Sequence, residues 1–276
     1  MIPAPFEYQR VDFVDHAIQV LSDRPDAKVL AGGHSLLPLM RLRLARPSVL
    51  VDITRIKDLD YIRDEGNAIA IGALVRHHDL ANSEVLRELC PIVAYTAGEI
   101  GDPQVRHMGT IGGSLAHSDP ASDLPTVMIA LEAEFVVRGP NGGTRNVPAS
   151  GFFRGLFEPD LSSAEILTEI RVPKTAGRPW SYLKFHRRAQ DWALVGVAAL
   201  AGNGSGAAVA LTNMGDRPIR ASGVEEALAG GADFAAASQR AAEGTSPPSD
   251  AFASGEYRQE LAKVLVRRAL EEAQAR

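Results

Sequence analysis

Two short segments with the same grammar constrain this chain more than any average property. The first is Ala31-Gly32-Gly33-His34-Ser35-Leu36-Leu37-Pro38. The second is Thr110-Ile111-Gly112-Gly113-Ser114-Leu115-Ala116-His117-Ser118-Asp119-Pro120-Ala121-Ser122-Asp123. In each, adjacent glycines remove the side-chain bulk that keeps an anion away from the backbone, and they permit positive φ. Successive amide N–H groups can then converge on a phosphate where a turn enters a helix. The Ser35 hydroxyl can add a further donor. The first segment is neither G-x-G-x-x-G nor G-x-x-x-x-G-K-S/T, so taken alone it reads first as a plain turn between a strand and a helix. Two such cradles in one chain suit a ligand with two phosphates, a dinucleotide held by something other than a Rossmann fold.

Charge decides what must grip those phosphates. The 276 residues include 29 basic and 34 acidic side chains, for a net charge of −5. Such a chain has no broad positive field for DNA, RNA or an anionic membrane, so backbone amides must do the holding locally. A hydrophobic content of 45% and a charged content of 23% are enough for a buried core. The length suits one or two domains. Cys90 is the lone cysteine. One thiol builds no internal disulfide, iron–sulfur cluster or structural zinc site, and it reads as a small apolar residue in a core or at a helix start. No apolar run reaches the ~18 residues of a membrane span. The opening Met1-Ile2-Pro3-Ala4-Pro5-Phe6 does not look like a secretory leader, and a cytoplasmic location is expected.

Periodicity predicts helices over 12–21 (with Asp12 as cap), 36–44, 79–89, 91–98, 124–131, 223–229, 232–242 and 256–273. It predicts strands over 28–31, 49–53, 68–75, 133–137, 166–172, 181–187, 193–201 and 207–213. The stretch from Gly98 to Asp123 reads as an ordered loop, rich in glycine and small polar residues yet anchored by Ile111 and Leu115. The best boundary is Lys174-Thr175-Ala176-Gly177-Arg178-Pro179, giving an α+β chain of two parts, 1–176 and 177–276. His117, Asp119 and Asp123 fit no metal-binding spacing, and no metal site is expected. Asp123 precedes Leu124-Pro125 and has two readings. It is either a helix N-cap worth about 1 kcal/mol, or a carboxylate receiving hydrogen bonds from sugar-like hydroxyls.

At this point the motifs resemble a known family. A-G-G-H-S-L-L-P and T-I-G-G-S-L-A-H-x-D-P-x-x-D are similar to the FAD-binding medium subunit of the carbon monoxide dehydrogenase and xanthine dehydrogenase type. Glu165-Ile166-Leu167-Thr168-Glu169-Ile170 and Tyr182-Leu183-Lys184-Phe185-His186-Arg187-Arg188-Ala189-Gln190-Asp191-Trp192-Ala193 extend the resemblance in order along nearly the whole chain. It implies a vanillyl-alcohol-oxidase-like (PCMH-type) FAD-binding domain of two subdomains plus a smaller C-terminal α+β domain. It further implies that Val29, Leu30, Ala31, Gly32, Gly33, His34, Ser35 and Leu36 wrap the FAD pyrophosphate. Thr110, Ile111, Gly112, Gly113 and Ser114 would line the nucleotide together with Asp123. Leu167 and Lys184 would lie near the cofactor, with Ile100 beside the isoalloxazine ring. Tyr182 and Trp192 would stack near that ring or serve as core.

The same resemblance implies an electron-transfer subunit with no catalytic residue of its own. A large partner would carry a molybdopterin cofactor and a small partner two [2Fe–2S] clusters, in a dimer of heterotrimers. Electrons would arrive singly and leave in pairs to an external acceptor. A self-sufficient FAD oxidase would need a general base at the flavin, and a non-enzymatic nucleotide-binding module would hold no flavin at all.

Overall fold

The computed structural model describes residues 2–202 and 206–276. A small parallel sheet starts the chain, formed by β1 (Glu7–Arg10), β2 (Lys28–Leu30) and β3 (Val49–Asp52) in the order β1-β3-β2. All four residues of the central strand β3 are buried, as expected where a parallel strand is covered on both faces. Helix α1 (Val14–Asp23) lays Val14, Ala17, Ile18 and Leu21 against this sheet. Its N-cap is Phe13, without a side-chain hydrogen bond, so Asp12 does not cap it. Helix α2 (Leu36–Arg41) is shorter than the expected 36–44 and leads the chain from β2 towards β3.

A second, antiparallel sheet runs β4-β5-β10-β6-β7. Its members are β4 (Ile62–Asp64), β5 (Ala68–Gly72), β6 (Glu134–Arg138), β7 (Thr144–Pro148) and the eight-residue β10 (Ile166–Pro173). The short hairpin of β8 (Phe153–Gly155) and β9 (Glu158–Pro159) follows the one-turn helix α9 (Ala149–Phe152). Six α-helices lie between β5 and β6: α3 (His77–Asn82), α4 (Glu84–Leu89), α5 (Pro91–Gly98), α6 (Pro103–Met108), α7 (Ile111–His117) and α8 (Asp123–Ala130).

Several expectations change here for local reasons. The single helix expected over 79–89 is two, because Ser83 leaves helical geometry and its hydroxyl accepts from the Leu86 amide to start α4. The stretch expected to be loop over 98–123 contains two capped helices, with Asp102 accepting from Val105 and Thr110 from Gly113. The strand expected to reach Val75 stops at Gly72, where a β-carbon would lie 2.3 Å from the Leu59 carbonyl oxygen. The helix expected over 232–242 is α11 (Phe234–Ser238) continued by a 3₁₀ turn, Gln239–Ala242.

The C-terminal sheet is antiparallel in the order β11-β12-β13-β14: β11 (Trp180–Phe185), β12 (Val195–Leu200), β13 (Ala208–Thr212) and β14 (Ile219–Arg220). Alternation along these strands serves two cores at once. Val195, Val197, Ala199, Val209 and Leu211 pack with α10 (Ser222–Ala229) and the 21-residue α12 (Gly255–Ala275). Tyr182, Ala198, Leu200, Ala208 and Ala210 join the core that also holds Ile71, Val127, Phe135 and Ile170. One sheet face is therefore built into the larger core, and α8, buried at every residue, packs on β12 and β13 of this sheet and on α5. Among the described residues, no helix is long and apolar enough to cross a membrane.

Candidate cofactor site

Strand β2 delivers the first glycine turn, with Val29 and Leu30 half-buried in it. Gly33 has φ +73°, in the left-handed region that favours glycine. Among the described residues, the amides of Gly32, Gly33, His34 and Ser35 meet no acceptor within the protein. Four consecutive free donors in a turn form the concavity that a phosphate fills.

The second turn is built differently. The Ile111 amide donates to the Val75 carbonyl, Gly112 to Ala73, Gly113 to the Thr110 hydroxyl and Ser114 to the Thr110 carbonyl. These amides are used by the fold. What remains open is the exposed Gly113 and half-buried Ser114, while Ile111 is fully buried. The two turns abut. A β-carbon on Gly32 would meet the Met108 carbonyl oxygen at 2.4 Å and Gly109 Cα at 2.8 Å. One on Gly113 would stand 4.0 Å from Ala31 Cβ. Gly32 and Gly112 thus permit close packing against backbone, whereas a β-carbon on Gly33 would meet the side chains of Leu37 at 3.0 Å and Leu30 at 3.2 Å.

Beneath this wall lies His77, 4% exposed, with no partner for Nδ1 among the described residues. Its ring comes so near Gly109 that a β-carbon there would touch Cδ2 at 2.7 Å. Burial, with help from Arg76, His34 and Arg106, lowers its pKa to about 4.

Asp123, Lys184 and Ile100 form the other end of the site. Asp123 is the first residue of α8 and Ser122 its N-cap, so the capping role does not fall to Asp123. Its carboxylate instead receives Tyr182 Oη at 2.6 Å and Lys184 Nζ at 3.0 Å. Both charged side chains are only 5% exposed, so Lys184 is no solvated strand lysine. Burial pushes the Asp123 carboxyl up, and the adjacent ammonium opposes that rise. Lys184 Nζ also donates to the Glu99 carbonyl at 3.3 Å, next to Ile100. Arg106 holds the same loop by donating to the carbonyls of Ile100 at 2.9 Å and Gly101 at 3.2 Å. Leu167 is buried in β10, against which α7 packs. Tyr182 is 1% exposed and does not offer its ring to a ligand, whereas Trp192 is 60% exposed. Among the described residues, no hydrogen bond or ion pair joins Asp123 or Lys184 to either glycine turn. No group of three or more His, Cys, Asp or Glu side chains there is placed to hold a metal.

Sequence reasoning missed His77, the hydroxyl of Tyr182 and Gly196. Gly196 did carry a signal, because a glycine inside an apolar strand marks a close approach.

A turn of free amides and a buried cation define a protein of mixed helix and strand built to hold a phosphate-bearing ligand, followed by a C-terminal sheet domain. Residues 4–175 match the FAD binding domain in molybdopterin dehydrogenase, and residues 180–273 match the CO dehydrogenase flavoprotein C-terminal domain. The chain belongs to this family, the FAD-binding subunits of molybdenum-dependent oxidoreductases, and FAD is its cofactor. It is 43% identical to the carbon monoxide dehydrogenase medium chain of Hydrogenophaga pseudoflava, covering 100% of this chain and 99% of that one. It is 37% identical to the glyceraldehyde dehydrogenase medium chain of Sulfolobus acidocaldarius, over 99% of both. The solved carbon monoxide dehydrogenase from Hydrogenophaga pseudoflava superposes with a TM-score of 0.96 at 43% identity, over 100% of this chain and 99% of that one.

Proposed function

We propose that this chain is the electron-transferring FAD subunit of a cytoplasmic molybdenum hydroxylase. It receives electrons from [2Fe–2S] clusters on a small partner and passes them to an external acceptor. A large partner carries the molybdopterin cofactor and selects the substrate, and two heterotrimers pair. Residues 1–176 form the FAD-binding domain and 177–276 the C-terminal domain.

The observation that carries this reading is the whole-length likeness to medium chains, proteins that are by name one component of a larger enzyme. Those two relatives are named for carbon monoxide and glyceraldehyde, which are chemically unlike, yet both match end to end. That supports placing substrate choice elsewhere. Val29 to Leu36 hold the FAD pyrophosphate through the four free amides, and Thr110 to Ser114 wall the nucleotide through Gly113 and Ser114. Ile100, Asp123, Leu167 and Lys184 frame the ring end. Bound FAD supplies exchange of one or two electrons, and the chain's own groups supply placement and charge.

The test is an absorption spectrum of the purified chain, followed by heat release and identification of the flavin. Stoichiometric FAD is the expected result. A complex reconstituted with its partners that still lacks FAD would overturn the reading.

A further inference from the structure

A buried network crosses from α8 to the C-terminal sheet and occupies side chains for which cofactor contact alone gives no role. Asp123 and Thr126 stand one turn apart on α8. Asp123 takes hydrogen bonds from Tyr182 and Lys184, and Thr126 Oγ1 accepts from Thr212 Oγ1 at 2.7 Å. Tyr182 and Lys184 are two residues apart on β11 and so share one face of the sheet. Lys184, Gly196 and Thr212 are directly paired across β11, β12 and β13. The middle member of that row has no side chain. A β-carbon on Gly196 would lie 2.8 Å from Thr212 Oγ1 and 3.0 Å from Tyr182 Oη. The glycine clears the space into which the phenol hydroxyl reaches.

An ammonium has three N–H donors. Asp123 and Glu99 take two of those on Lys184, and the third meets no acceptor among the described residues. We propose that Tyr182 is a positioning residue which, by holding one oxygen of Asp123, fixes the carboxylate and leaves the third N–H of Lys184 free for the flavin. Gly196 is the space that makes this possible. The proposal rests on the reading that FAD lies against Lys184.

Without the phenol, the carboxylate turns both oxygens to the ammonium and draws that donor back into the protein. Burial and the neighbouring carboxylate raise the Tyr182 pKa well above its usual value, so the hydroxyl remains a donor at working pH.

The test uses the full-length chain, in the reconstituted complex if the chain alone holds FAD weakly. Tyr182→Phe keeps the ring and removes only the donor. It should raise the Kd for FAD at least tenfold and shift the flavin midpoint potential downwards. In a Lys184→Met background the same change should raise Kd less than twofold, because Lys184 carries the effect. Gly196→Ala, which keeps the phenol but displaces its hydroxyl, should raise Kd several-fold in the same direction. Unchanged Kd and potential in Tyr182→Phe would overturn the proposal. So would an equal penalty with and without Lys184, which is the signature of a merely structural role. Wild-type complex that binds no FAD would instead remove the underlying reading, and this proposal with it.

Discussion

The two glycine turns share a sequence pattern and differ in what the pattern does. In the first, four consecutive amides are left without partners among the described residues, and Gly33 takes a positive φ. In the second, a threonine cap and two carbonyls from the stretch after β5 use every amide from Ile111 to Ser114. The first turn is an acceptor-seeking concavity, and the second is an ordinary helix start pressed against it. Pairs of glycines are therefore ambiguous. One member of each pair, Gly32 and Gly112, is pressed against backbone, whereas the other, Gly33 or Gly113, meets only side chains. The turns cooperate by contact, because Gly32 sits on the Met108–Gly109 backbone that leads into the second.

The sharpest break in this comparison lies between glycines pressed against backbone and those that meet only side chains. Gly32→Ala places a methyl 2.4 Å from a carbonyl oxygen on a backbone that cannot swing aside. It should cost about 3 kcal/mol in chemical denaturation. Gly113→Ala meets only the Thr110 hydroxyl at 2.8 Å, a side chain that can turn, and should cost about 1 kcal/mol through the weakened cap. Gly33→Val should empty the site of FAD, since a β-branched residue strongly resists positive φ. If Gly113→Val emptied it as completely with an unchanged melting temperature, the second turn would be a phosphate cradle too, and the contrast would collapse.

Much of this was legible before any coordinates. The two turns and the strand leading into the first follow from glycine placement and period. The helices over 103–108 and 111–117 were not, because each is short and led by small polar residues that resemble loop. Their caps, Asp102 and Thr110, were the readable cue. The edge strands β1, β4 and β7 are largely exposed and carry no apolar alternation. Asp123 shows where sequence runs out. Nothing near it indicates that its partners sit 59 and 61 residues away on another sheet.

His77 tests the wall that both turns lean on. Its folded pKa of about 4 lies below the ordinary 6.5. Above pH 6.5 neither folded nor unfolded chain holds the proton, and burial of the ring has no electrostatic cost. As pH falls below 6.5 the unfolded chain takes the proton first, so stability drops until about pH 4. At pH 5 the loss is about 2 kcal/mol. His77→Leu should remove it. The difference in unfolding free energy between variant and wild type should then move in the variant's favour by that amount from pH 7 to pH 5. Parallel pH profiles would show that His77 does not carry the acid sensitivity of the wall.

The smallest expected effect is the most diagnostic for the second turn. Thr110 caps α7 through the Gly113 amide at 3.1 Å, and it is 2% exposed. Thr110→Ala should lower stability by about 1 kcal/mol and leave the Gly113 amide without its acceptor. That amide then becomes available to a ligand oxygen, as the four amides of the first turn already are. FAD affinity should accordingly change little if Thr110 is only a cap, and fall markedly if its hydroxyl also touches the cofactor. Titration of FAD into Thr110→Ala, compared with its melting temperature without cofactor, separates the two cases. A stability loss with nearly constant Kd keeps Thr110 as a cap and the second turn as a wall. A large rise in Kd with an unchanged melting temperature would make the hydroxyl a direct cofactor contact, and would erase the difference between the two turns.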